Sequence, residues 1–115
     1  MGLEDKLDEL FKMQKELQEA YGKNLPFKNE KERQAYINEN ILALYIELSE
    51  AIKETPFKSW KQNQEVNKEK FKEEIIDCTH FLINLALSID MTSNDFYEKY
   101  KEKNQVNRQR INNGY

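Results

Sequence analysis

The sequence predicts an all-α protein, a bundle of four to five helices forming one domain over residues 1–115. Glycine (3) and proline (2) are scarce, so little of the chain can be turn-rich. Apolar residues recur at three- and four-residue spacing and nowhere alternate as a half-buried strand would. No internal repeat or low-complexity segment interrupts that pattern, and 115 residues leave room for one modest core only.

The elements follow in order. Leu3, Leu7, Leu10, Phe11, Leu17 and Tyr21 predict an amphipathic helix from Leu3 to about Tyr21, stopped by Gly22. Asn24 to Lys28, with Pro26, is a loop, and Asn29 can cap a second helix that runs through Tyr36, Ile41 and Leu44 to about Glu54. Thr55-Pro56 ends it, because the residue before proline is pushed out of helical space. Phe57 to Asn67 is irregular, and a third helix runs from near Val66–Glu69 to Ile89. Thr92-Ser93-Asn94 then offers a fresh N-cap for a last helix carrying Phe96, Tyr97, Tyr100, Val106 and Ile111.

Charged residues make up 34% of the chain and hydrophobic ones 38%, with a net charge of −3. No basic stripe dominates, which argues against nucleic acid as a partner while leaving a phosphate-bearing small ligand open. The single cysteine, Cys78, has no internal partner and sits in an apolar run as a packed thiol, which suits a reducing compartment. The acidic start Met1-Gly2-Leu3-Glu4-Asp5 lacks a signal-peptide core, and the longest apolar stretch is broken by Asp77, His80 and Asn84. A cytoplasmic protein with no membrane partner is expected, with a partner subunit helping a small core to fold.

Pairs of acids three residues apart mean little alone in a chain with 21 acidic residues, where the ordinary reading is a solvated helix face. Glu47 and Glu50 differ because they are the only charges between Ile41 and Ile52. On a helical wheel Ile41, Leu44, Tyr45, Leu48 and Ile52 make a stripe, widened by Leu42 and Ile46, and the two glutamates fall opposite its centre. A helix that apolar is expected to be largely buried, with its acidic side facing a slot. Glu74 and Asp77 repeat the pattern on the third helix, where Asp77 is the only charge after Glu74 up to Ile89. If the two helices pack side by side, four carboxylates share a cleft. Two carboxylates about 5 Å apart repel by roughly 3 kcal/mol at an effective dielectric near 20, so a hard divalent cation, Mg²⁺ or Mn²⁺, is the natural compensation.

Lys103, Asn107 and Arg110 fall on one stripe of the last helix and can grip phosphate oxygens, although cations near a helix C-terminus are also ordinary. Lys58 and Lys61 flank Trp60, which suits either base stacking or a plug over helix ends. His80 is more often a satisfied core histidine than a catalyst, and Phe81 reads equally as core or base platform. Gln14 could offer its amide to a nucleobase edge.

Taken together these residues resemble the dimeric all-α dUTPases of phages, bacteria and some protozoa. Ile41 to Glu50, then Glu54-Thr55 and Phe57-Lys58-Ser59-Trp60, is similar to their central motif, and Glu73 to Phe81 to their second acidic motif. Tyr100 to Asn104, Asn107, Arg110 and Gly114-Tyr115 resemble their C-terminal phosphate motif, and Met13 to Leu17 the motif of their first helix. The resemblance implies a MazG-like pyrophosphohydrolase fold, a homodimer, and hydrolysis of dUTP to dUMP and pyrophosphate by metal-activated water attack. It assigns Mg²⁺, with Mn²⁺ as substitute, to Glu47, Glu50, Glu74 and Asp77, with Glu47 orienting or deprotonating the water. It assigns the triphosphate to Lys58, Lys103, Asn107, Arg110 and Tyr115, and the base to Gln14, Gln18, Trp60, His80 and Phe81. The chain departs from the family pattern at Gln18, where aspartate or asparagine is usual, at Pro56 in place of arginine, and at Ile111 in place of glutamine. Two rival expectations are a sister enzyme acting on another nucleotide such as dCTP, and a non-catalytic helical module that binds a protein partner.

Overall fold

The computed structural model describes residues 5–23, 25–62 and 65–114. They form four α-helices, α1 (Lys6–Ala20), α2 (Glu30–Ile52), α3 (Lys68–Ser88) and α4 (Ser93–Asn112), so the all-α expectation holds. Leu3, expected at the head of the first helix, lies outside the described residues.

Each helix starts where a side-chain oxygen can satisfy one of the N–H groups that the first turn leaves unpaired. Asp5 and Asp8 form a reciprocal capping box on α1, and Thr92 and Asp95 do the same on α4. Asn29 accepts from the Glu32 N–H at 2.8 Å and Asn67 from the Lys70 N–H at 3.2 Å, opening α2 and α3. The caps at Asn29 and Thr92 are those the sequence predicts. α3 ends in a Schellman turn: the Met91 N–H donates to Ala86 O and the Asp90 N–H to Leu87 O, with Asp90 at φ 59°. Aspartate tolerates that left-handed conformation better than most residues. Arg33 completes the stop by donating from Nη1 to Ser88 O at 2.8 Å, within 3.7 Å of Asp90.

That contact ties the start of α2 to the end of α3, and the side chains of Asn40 and Asn84 meet midway along the pair, so the two helices are antiparallel neighbours. A small apolar core lies to one side, where Phe11, Ile83 and Ala86 are buried with Leu7, Leu87, Met91 and Phe96 against them. Phe11 and Phe96 meet edge to face at 5.5 Å. A short hydrogen bond from Ser93 to Asp8 pins the first turn of α4 to that of α1. From there α4 departs at 105° to α3, and no residue of α4 is buried. Among the described residues, no single helix is long and apolar enough to cross a membrane.

The expected burial of the second helix is reversed. Its buried residues are Tyr36 and Asn40, whereas Ile41, Leu42, Tyr45, Ile46, Leu48 and Ile52 are exposed, Tyr45 at 71%. The helix turns its polar edge towards α3 and its apolar stripe outward. The physical reason is that Asn40 finds a hydrogen-bonding partner in Asn84 on α3, which turns that edge inward and leaves the opposite stripe facing out. α3 follows suit, with Cys78, Ile83, Asn84, Ala86 and Ser88 buried and Ile75, Ile76, Leu82 and Ile89 exposed. On α1 the inward face is Phe11, Gln14 and Gln18, and the expected apolar positions Leu10, Leu17 and Tyr21 lie at the surface.

Tyr36 gives a pH handle on this interior. Burial and the Glu39 charge push its hydroxyl from 10.0 up to about 12, against a smaller opposing effect of the Asn40 side chain. A hydroxyl raised in the folded state contributes stability that is intact below the unfolded value and is lost as pH rises through the folded one. Thermal melts should therefore show Tm falling between pH 10 and about 12, and Tyr36→Phe should show a smaller fall; identical falls in both proteins would remove Tyr36 from this role.

Candidate active site

Glu47 and Glu50 lie one turn apart in the last third of α2, and Glu74 in the second turn of α3. The antiparallel packing brings them together: one carboxylate oxygen from each lies within 4.8 Å of the other two. Glu47 Oε2 and Glu74 Oε2 are sealed from solvent and have no hydrogen-bond partner among the described residues. Burial, pairing with the Glu74 side chain and the charges of Glu50, Asp77 and Glu74 together push the Glu47 carboxyl above its usual range. Asp77 is not one of the three that converge, but it is half-buried and near enough for its charge to act on Glu47. Cys78 lies buried behind the group, and burial together with the Glu47, Glu74 and Asp77 charges raises its thiol, so it stays a protonated packing group. Three carboxylates with two orphaned buried oxygens fit a hard divalent cation, because it neutralises the repulsion and fills the empty acceptor positions at once.

Ala43, one turn before Glu47, and Phe81, one turn after Asp77 and two after Glu74, line a cavity of about 330 Å³ together with Gln18, Tyr36, Asn40 and Asn84 and the charged Lys23 and Glu39. One helical turn rises about 5.4 Å, so the cavity adjoins the acidic group. A larger hollow, of about 540 Å³, opens between Leu7, Ser93 and Tyr97, away from Glu47, Glu50 and Glu74. The polar wall of the adjoining cavity is a set of buried amides. Gln14 Nε2 donates to Asn84 Oδ1 at 2.7 Å, Asn84 Nδ2 to Asn40 Oδ1 at 2.9 Å and Asn40 Nδ2 to Tyr36 O at 2.8 Å. The Tyr36 hydroxyl donates to Gln18 Oε1 at 2.8 Å.

Of the residues expected around a base, Gln18 and Phe81 line this cavity, and Gln14 is buried against its Asn84 wall. His80 is exposed on α3, and Trp60 is 75% exposed in the connection after α2; neither lines the cavity. Histidine at position 80 is thus not the satisfied core residue that an apolar helix suggests. Of the expected phosphate group, Lys58 is half-buried on that same connection, with Nζ 5.8 Å from the Phe57 ring. The connection folds back on itself, the Asn67 N–H donating to Glu54 O at 3.1 Å, which holds Lys58 at the carboxylate end of α2 and α3. Lys103, Asn107 and Arg110 are exposed on α4, which packs on α1. Tyr115 lies outside the described residues. Sequence reasoning missed Tyr36, Asn40 and Asn84; the available signal was Asn84 interrupting the apolar run of the third helix.

The sequence model of the dUTPase family matches residues 6–98, which include α1 to α3, the acidic group and the cavity wall. The chain belongs to the dUTPase family. It is accordingly an enzyme, a dUTP diphosphatase. No curated protein and no solved structure matches the chain.

The raised Glu47 carboxyl predicts how the metal-free dUTPase responds to pH. An acid raised in the folded state contributes stability that is present below its unfolded value and is lost as pH rises through the folded one. In chelator, Tm should therefore decline as pH rises above the ordinary carboxylate range, and Glu47→Gln should flatten that decline. An unchanged slope in the variant would show that the three carboxylates do not repel one another.

Proposed function

We propose that the chain hydrolyses dUTP to dUMP and pyrophosphate with Mg²⁺, or Mn²⁺ in its place, held by Glu47, Glu50 and Glu74 and with Asp77 adjacent. The observation that carries this reading is the convergence of three carboxylates, two with orphaned buried oxygens, one turn from a cavity walled by amides and an aromatic ring. When bound, the metal supplies Lewis acidity at the phosphate oxygens and offsets the charge of the site. The residues of the chain do the rest. Glu47 takes the proton of the attacking water as the bridge between the α and β phosphorus atoms breaks. Lys58 meets the phosphates from the connection after α2, and by family resemblance Lys103, Asn107 and Arg110 approach them from α4. Phe81 stacks on the base, and Gln14 and Gln18 hydrogen-bond its edge.

We also propose that the working enzyme is a homodimer in which a second copy covers the apolar stripe of α2. Ile41, Tyr45, Leu48 and Ile52 stand exposed along one side of that helix, more than a soluble monomer usually leaves open. The radius of gyration, 17.7 Å, exceeds the roughly 13 Å of a compact chain this long, as expected of a subunit shaped by its assembly.

Pyrophosphate release should require Mg²⁺ and favour dUTP over dCTP and dTTP, and Glu50→Gln or Glu74→Gln should lower kcat by about a hundredfold or more with the fold intact by circular dichroism. Metal-independent hydrolysis, or full activity in both variants, would overturn the assignment. Light scattering should give twice the chain mass, and Tyr45→Asp combined with Leu48→Asp should shift it to the monomer; a monomeric parent protein would remove the dimer.

A further inference from the structure

The lining of the cavity beside the carboxylates changes character from wall to mouth. Gln18, Tyr36, Asn40 and Asn84 are buried, whereas Tyr21, Lys23 and Glu39 are exposed. Of the large apolar side chains that stand exposed among the described residues, Tyr21, at 70%, is the one that lines this cavity. The backbone beneath it is fixed. α1 closes in a Schellman turn, in which the Lys23 N–H donates to Gln18 O and the Gly22 N–H to Glu19 O, both at 2.9 Å, with Gly22 at φ 82°. Tyr21 immediately precedes that glycine, and its own N–H is shared between Leu17 O and Gln18 O at 3.1 Å. A Cβ added at Gly22 would meet nothing within 4 Å, so the glycine serves the left-handed backbone and not a close approach. Lys23 then reaches across to α2, its Nζ 3.9 Å from Glu39. An exposed ion pair of that kind adds little stability, and the turn owes its shape to its backbone hydrogen bonds.

We propose that Tyr21 is a base-binding residue, which covers the uracil ring from α1 while Phe81 contacts it from α3. This rests on the function proposed above. A cavity of about 330 Å³ is at the small end of ligand sites and suits a base, with the triphosphate left outside at the carboxylates. An aromatic side chain on an ordered backbone offers its contact area at small entropic cost, because only two side-chain torsions remain to be fixed. The favourable energy comes from taking a ring face out of water. Tyr21 keeps most of its surface in solvent when the cavity is empty and loses part of it when a base is bound. Every base has a flat face, so this contact adds affinity without choosing between uracil and cytosine. It is equal in the ground and transition states and is therefore expressed in KM and not in kcat.

The test is steady-state hydrolysis of dUTP by the parent enzyme, Tyr21→Ala and Tyr21→Phe, together with inhibition by pyrophosphate, which reads the metal and phosphate end alone, and light scattering. Because Tyr21 is exposed, both variants should fold, as thermal melts would check. Tyr21→Ala should raise KM for dUTP about tenfold with kcat within about threefold of the parent, whereas Tyr21→Phe, which keeps the ring, should change KM by no more than about twofold. Pyrophosphate should inhibit all three proteins equally. An unchanged KM in Tyr21→Ala, or a weakening of pyrophosphate inhibition in step with KM, would overturn the contact with the base and leave the proposed function standing. So would loss of the dimer in Tyr21→Ala, which would assign the ring to the subunit interface. A parent enzyme with no turnover of dUTP would end both.

Discussion

The fold and the site both depend on one contact, the antiparallel packing of α2 against α3 along their polar edges. At one end Arg33 closes the last turn of α3, in the middle Asn40 and Asn84 share an amide hydrogen bond, and at the other end Glu47 and Glu50 face Glu74. A helix pair held this way gains little from the hydrophobic effect along its seam and much from partner-specific hydrogen bonds, which fix register where apolar contacts would permit sliding. Register matters because the carboxylates converge in the same helix register that lets Asn40 and Asn84 meet two to three turns away.

The same choice explains the surface. A helix has one circumference, and the residues that face α3 cannot also face solvent. Once Tyr36 and Asn40 turn inward, Ile41, Tyr45, Leu48 and Ile52 must turn outward. The small apolar core around Phe11, Ile83 and Phe96 sits apart from this seam and anchors α1 and α4. Stability and chemistry are thus drawn from separate parts of the chain. The acidic group can remain repulsive while the protein is metal-free because the core and the helix caps do not depend on it.

The candidate site is layered along the helix pair. Carboxylates stand at the open end, an aromatic ring and a small alanine one to two turns in, and a chain of amides beyond. That order matches a nucleoside triphosphate laid along the seam, with charge at one end and a hydrogen-bonding ring at the other. α4 does not join the layering within one chain: it leaves α3 at 105°, and its cations stand exposed.

The sequence by itself determined the helices, their starts near Asn29 and Thr92 and the family, because these rest on local hydrogen bonding, turn chemistry and spacing within one helix. It also set Glu47, Glu50, Glu74 and Asp77 apart from the many other acids by their apolar neighbours, and three of the four converge in the structure. Only the tertiary structure decided which side of each helix faces inward. Periodicity locates an apolar stripe but does not say what covers it, so the stripe on α2 predicted burial and proved to be surface. It likewise decided that Gln14, Asn84, Asn40, Tyr36 and Gln18, spread over three helices, form one buried network, since hydrogen bonds between residues up to 70 positions apart leave no mark on local pattern.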